Sequence, residues 1–136
     1  MQAGFNYQAF ILMVQACEAL GAVLDDKPLK AIQQSKLRFL KVFRKFPKHY
    51  FELADDDFWY DQLRNNIAHL LIPGGHIKIS EIESNHLVRN NIGVIHIYIP
   101  TFYHDFLNTF HYFLNAFNRQ NGKVKVLNFN NMDQFV

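Results

Sequence analysis

Apolar residues recur with a helical period over most of this chain, and the period changes once. Residues 6–24 carry Phe10, Leu12, Met13, Val14, Ala16, Cys17, Leu20 and Val23, apolar on most sides. A helix so apolar belongs at the centre of a core. Asp25-Asp26-Lys27-Pro28 ends it. A second helix is expected over 36–46, with Ser35 as its cap. At 100° per residue, Phe39, Leu40, Val42, Phe43 and Phe46 gather on one side and Arg38, Lys41, Arg44 and Lys45 on the other. Pro47 marks the exit. The third helix should run from Asp56 or Asp57 to about Leu71. Its acidic opening suits the positive end of the helix dipole. Trp59, Leu63, Ile67 and Leu70 or Leu71 repeat at helical spacing and should face the core, and Pro73-Gly74-Gly75 stops the helix.

The alternation then shortens to two. His76-Ile77-Lys78-Ile79-Ser80 and the run 94–99 both read as half-buried strands. We expect them to pair as an antiparallel hairpin over a long Asn-rich loop. A last helix follows over 101–118. Phe102, Phe106, Phe110, Phe113 and Phe117 make an aromatic stripe on it, broadened by Leu107 and Leu114. Such a stripe is core or dimer interface rather than a cofactor box. Residues 123–129 alternate and could add a strand or cross to a partner chain.

Composition changes this picture little. The chain has 136 residues, enough for one domain with a core that needs no staple. Fourteen phenylalanines point to an aromatic core, a large interface, or both. Cys17 is the single cysteine and sits in an apolar run, so it reads as a small buried hydrophobe and agrees with a reducing compartment. No basic flank precedes the N-terminal apolar stretch, as a signal peptide would have. The longest apolar run, 9–14, is short of a membrane span. We therefore expect a cytoplasmic protein with no membrane partner.

Charge adds more. Net charge is only +2, but its distribution is segregated. Eight Lys or Arg and no acid lie between Lys27 and Phe51; five acids and no base lie between Glu52 and Asp61. The basic side of the second helix, Arg38, Lys41, Arg44 and Lys45, is either a solvated face or a surface for RNA.

The third helix carries the candidate chemistry: Arg64, Asn65, Asn66 and His69. Two adjacent asparagines break helix propensity near an Arg and a His. Asn65 and His69 are four apart and share a face. Arg64 is about 140° round from His69 on a straight helix, so they meet only if the helix end tightens, the Arg arm reaches round, or a second subunit completes the site. A histidine can move a proton on or off a ribose hydroxyl. A guanidinium can grip a phosphate by two parallel hydrogen bonds. An asparagine can orient either, and no metal or other cofactor is required. The plainer reading is that Arg and His favour a helix C-terminus and that the asparagines are solvated.

Other clusters have plainer explanations. His104, Asn108, His111 and Asn115 form a polar stripe without a third metal ligand at suitable spacing. His96 sits on the polar face of a strand. Asp55, Asp56, Asp57 and Asp61 could bind a divalent cation but suit a helix start. No Gly-rich phosphate loop is present.

The segment Leu63-Arg64-Asn65-Asn66-Ile67-Ala68-His69 resembles the R-x4-6-H motif of HEPN (higher eukaryotes and prokaryotes nucleotide-binding) domains. Four residues separate Arg64 from His69, and a polar residue follows the Arg. The order of elements is also similar, over about residues 5–120. The resemblance implies a mainly α fold: an up-and-down bundle of four to five helices in a single domain over 1–136. A β-hairpin insertion at about 76–99 would precede the last long helix, and an extended tail at about 123–136 would follow it. It also implies a homodimer with two motifs near a shared cleft. Many such domains are metal-independent endoribonucleases that leave a 2′,3′-cyclic phosphate, in toxin–antitoxin or phage-defence systems with a protein antitoxin or regulator. Others are non-catalytic modules that bind a protein or a nucleotide. Arg64 and His69 would be the catalytic pair and Asn65 the supporting group. Two departures stand out. The branch paired with minimal nucleotidyltransferases continues as H-x-Y, and Leu71 occupies that Tyr position. The insertion at 76–99 would also reshape the cleft.

Overall fold

The computed structural model describes residues 3–119. The expected strand at 123–129 and the tail at 123–136 lie outside the described residues. The fold is mainly helical with a small two-stranded parallel sheet. The helices are α1 (Ala3–Leu24), α2 (Ser35–Phe43), α3 (Lys48–Leu53), α4 (Asp56–Trp59), α5 (Asn66–Leu70) and α6 (Ile99–Arg119). A π-helical segment, Tyr60–Asn65, joins α4 to α5.

The helix α1 packs along α2 and against α6. By length and composition its stretch Asn6–Leu24 is apolar enough to cross a membrane, more than the run 9–14 suggested. A consecutive run is broken by Gln15 and Glu18, whereas an average over the helix is not. In the fold Phe10, Met13, Val14 and Cys17 are buried in the core. Burial pushes the Cys17 thiol up to about 12, which keeps it protonated and unreactive.

The predicted apolar side of α2 is the buried one: Phe39, Leu40, Val42 and Phe43 are all core. The helix ends three residues earlier than expected, and two tight turns, Lys45 N–H to Val42 and Phe46 N–H to Phe43, hold Phe46 in the core. Ser35 does not cap α2. Gln34 holds that position without a side-chain bond, and the Ser35 hydroxyl is used elsewhere. The phenylalanine surplus forms an aromatic core in which the Phe43 ring touches the rings of Phe39, Phe46, Tyr50, Phe51 and Trp59. Tyr50 and Trp59 enter it with their polar atoms bonded; the Trp59 indole N–H donates to the Tyr50 carbonyl at 3.0 Å.

Asp55 caps α4 as its position implied, accepting the Phe58 N–H at 2.8 Å. Trp59, Leu63 and Ile67 are fully buried, but Leu70 and Leu71 are exposed. The helix stops before they can turn inward: Leu71 adopts the left-handed conformation as the C-cap.

The strands β1 (Ile77–Ser80) and β2 (Ile95–Tyr98) pair in parallel, not as a hairpin, with Ile77 opposite Ile95. The reason lies in the intervening loop, which makes its own antiparallel turn. Asn90 Oδ1 accepts the N–H groups of Ile92 and Val94, and Gly93 supplies a φ of 84°. Main-chain bonds between Leu87 or Val88 and His96 extend that turn. The short turn occupies one edge of β2 with local partners, which close at little entropic cost. β1 therefore meets the other edge in the same direction. Ile95 and Ile97 point into the core, and β2 runs straight into α6.

The aromatic stripe of α6 divides along its length. Phe102 is core, Phe106 and Phe113 pack against it, and Phe110 is part of an apolar groove with Leu20, Val23, Leu24 and Phe117. His104, Asn108, His111 and Asn115 are exposed.

Candidate functional site

The segregated charges fold onto one another. Lys36 pairs with Asp57 and Arg44 with Asp56, so the basic run of α2 lies against the acidic start of α4. Arg38 is not on the exposed basic face with Lys41, Arg44 and Lys45. It is buried, donates to Asp25 at 2.6 Å, and donates to the carbonyls of Pro28 and Leu29 at 2.7 and 3.0 Å. Helical projection placed it on the basic side, but at that side's edge next to Val42, and the chain after α1 folds over it. Among the expected RNA-contacting residues, Lys41, Arg44 and Lys45 remain on the surface.

The π-helical segment explains the paired asparagines. The Asn66 N–H reaches the Asp61 carbonyl five residues back, and its side-chain Nδ2 donates to the same oxygen at 2.6 Å. Asn65 Nδ2 reaches Asp61 Oδ1 at 3.4 Å. Residues that favour local hydrogen bonds here support one widened turn. The broken propensity therefore has a local structural cause.

Arg64 leaves this segment toward α1. Its Nε donates to Glu18 Oε2 at 2.5 Å and its Nη2 to Glu18 Oε1 at 3.2 Å, a two-pronged clasp. Nη2 also donates to Ser35 Oγ at 3.1 Å, and the guanidinium lies over the Tyr60 ring. Burial lowers the Arg64 pKa, but the hydrogen bond and charge of Glu18 outweigh it, so the net shift is upward. Arg64 thus ties α1, α2 and its own helix together.

His69 stands apart from it. It is exposed on the last turn of α5 and makes no hydrogen bond or ion pair among the described residues. Asn65 lies one turn before it on the same face. No contact joins Arg64 to His69, so the five-residue offset read from the sequence is not closed within one chain. Next to His69, Leu70, Leu71 and Ile72 are 62%, 58% and 53% exposed, three consecutive apolar side chains facing solvent. The Tyr7 hydroxyl fixes this end of the helix by donating to the Leu71 carbonyl at 2.8 Å.

A second polar cluster, which no spacing in the sequence signals, lies inside the fold. His86 Nδ1 accepts the Tyr98 N–H at 3.0 Å, so the neutral ring carries its proton on Nε2. That group meets the Tyr50 oxygen at 3.0 Å, and the Tyr50 hydroxyl donates to Asp105 Oδ2 at 2.6 Å. Burial first, and then the Asp105 charge, push the Tyr50 pKa upward, so the phenol stays protonated and donating. The three residues come from α3, the loop after β1 and α6, and join only through the fold. Tyr50→Phe strips both neighbours of a partner and is expected to cost about 1–3 kcal/mol in urea unfolding. A variant as stable as the wild type would mean that the chain of bonds contributes nothing.

Among the described residues no group of three or more His, Cys, Asp or Glu is arranged to hold a metal. Comparison with family models, with curated proteins and with solved structures finds no match.

Proposed function

We propose that this chain is a metal-independent endoribonuclease of HEPN type that acts as a cytoplasmic homodimer. The observation that carries the reading is His69: an exposed, uncommitted imidazole one turn beyond Asn65, at the end of the helix that also holds Arg64. In this reading His69 moves the proton of the ribose hydroxyl, Arg64 receives the phosphate, and Asn65 supports the pair. The exposed Leu70, Leu71 and Ile72 support a second copy at this end, because such a run gains by being covered. Lys41, Arg44 and Lys45 would contact the RNA backbone. A toxin–antitoxin or phage-defence setting, with a protein antitoxin as partner, goes with the same proposal.

The expected result is cleavage of RNA in the presence of chelator, with cyclic phosphate ends. His69→Ala should slow it by at least about 100-fold, the usual loss for a general acid or base. Wild-type protein that leaves RNA intact, or an alanine variant that cuts as fast, sinks the proposal.

A second reading, a non-catalytic dimeric module that binds a protein or a nucleotide, rests on the Glu18 clasp. A guanidinium held by a carboxylate and a hydroxyl serves packing as it stands. That reading expects Arg64→Ala to cost stability with no activity to lose.

A further inference from the structure

A cavity of about 360 Å3 lies where the start of α1 meets the end of β1 and the passage from β2 into α6. It stands on side chains other than Arg64 and His69, so it does not depend on the proposal above. Asn6 lines it, and Asn6 Oδ1 is a buried side-chain oxygen with no hydrogen-bond partner. A buried acceptor without a donor is costly and uncommon, and it calls for one. The last torsion of an asparagine is soft, so a swing of the carboxamide turns this oxygen onto a donor held in the cavity. The Ser80 and Tyr7 hydroxyls also line it and have already placed their hydrogens, on the Ile82 carbonyl at 3.3 Å and the Leu71 carbonyl at 2.8 Å. Their oxygens can only accept further. Glu81 reaches solvent and makes no hydrogen bond or ion pair among the described residues. No Lys, Arg or His lines the cavity among the described residues, so its one formal charge is the Glu81 carboxylate. Tyr7 and Tyr98 add two aromatic rings, and the remaining lining, Ile79, Ile99 and Pro100, is apolar.

We propose that this cavity binds a guanidinium group on an aliphatic arm, as arginine carries it. A guanidinium offers five N–H donors and no acceptor, which matches a lining rich in acceptors. Two of its donors pair with the Glu81 carboxylate, another meets Asn6 Oδ1, and its flat face lies on a tyrosine ring. The methylenes of the arm lie along the apolar lining. The alternatives fit less well. A phosphate or carboxylate would meet the Glu81 charge with no cation to offset it. An ammonium is compact and strongly hydrated, so it lacks both the fork and the flat face. The volume is near the small end of the roughly 300–1,000 Å3 of ligand sites, which suits one side chain rather than a larger molecule.

The test is an NMR titration of the 15N-labelled full chain. The probes are free L-arginine, Nα-acetyl-arginine amide, the matching citrulline and lysine amides, and guanosine. Both arginine compounds should move the amide signals of Ser80, Glu81 and Tyr98, with a Kd of about 1 mM or below. The citrulline amide has the same shape without the charge, and it should bind at least about tenfold more weakly, as should the lysine amide. Tighter binding of free arginine than of its amide names the amino acid as the ligand; equal or weaker binding names an arginine side chain within a partner. Glu81→Gln and Asn6→Leu should each weaken arginine by about tenfold. Neither side chain makes a hydrogen bond among the described residues, so both variants report on the site rather than on folding. No shift by either arginine compound up to about 10 mM overturns the proposal. So does a citrulline amide, lysine amide or guanosine that binds as tightly as arginine, or an affinity unchanged in either variant.

Discussion

Gly21→Ala should destabilise the fold by about 2 kcal/mol or more, although the same change improves helix propensity by about 1 kcal/mol. Gly21 is buried in α1 where α2 crosses it. A Cβ added there would lie 2.1 Å from the carbonyl oxygen of Arg38 and 2.6 Å from its carbonyl carbon. Both are main-chain atoms of α2, so no side-chain rotation relieves the overlap; the two helices must part. Arg38 resists that movement, because its guanidinium is fastened to Asp25 and to the carbonyls of Pro28 and Leu29 at the end of α1. The strain therefore spreads into the connection as well as the interface. Urea unfolding measures it as a fall in midpoint at unchanged slope. An alanine variant as stable as the wild type would show that the helices do not approach this closely.

Gly21 also shows where the sequence was silent. A glycine inside an apolar helical run signals a packing reason but not the partner, which is fixed by how α1 and α2 cross. The long helices and the buried side of α2 were legible, because each is a matter of period along one element. So was the Asp55 cap, which involves only the next three residues. Strand existence was legible too, but strand direction was not. Direction turned on Asn90 and Gly93, which close a local turn that displaced the longer hairpin. The short α3 escaped because its six residues, sandwiched between Pro47 and the Asp55 cap, give a period too few turns to show. In the motif, spacing correctly left Arg64 and His69 apart. It did not reveal Glu18, which lies 46 residues earlier and reaches Arg64 only through helix packing. Nor did it reveal that Asn66 supports a π turn, since the same residue in a regular helix would be merely solvated.

Glu18 decides what Arg64 can do, and two substitutions separate the readings of it. Arg64→Ala should cost about 2–3 kcal/mol, less than the roughly 3–5 of a fully buried pair, since Arg64 and Glu18 are 19% and 25% exposed. The loss arises because Glu18 keeps its charge in a half-buried position with no partner, and Ser35 loses its donor as well. The double variant with Glu18→Ala should lose less than the two single changes summed, as coupled partners do. Glu18→Gln is the informative change for function. A carboxylate gripping a guanidinium through two nitrogens sits as a phosphate would sit, so in the nuclease reading an RNA phosphate must displace Glu18. Removing the Glu18 charge should then raise RNA cleavage by about tenfold even as stability falls. In the module reading the same change lowers the unfolding midpoint and produces no cleavage. Faster cleavage identifies the clasp as a mask over Arg64. Cleavage by the wild type that stops in Glu18→Gln would instead make Glu18 the group that orients Arg64. Stability loss with RNA left intact by both proteins would leave Arg64 as a structural tie and end the case for catalysis by this pair.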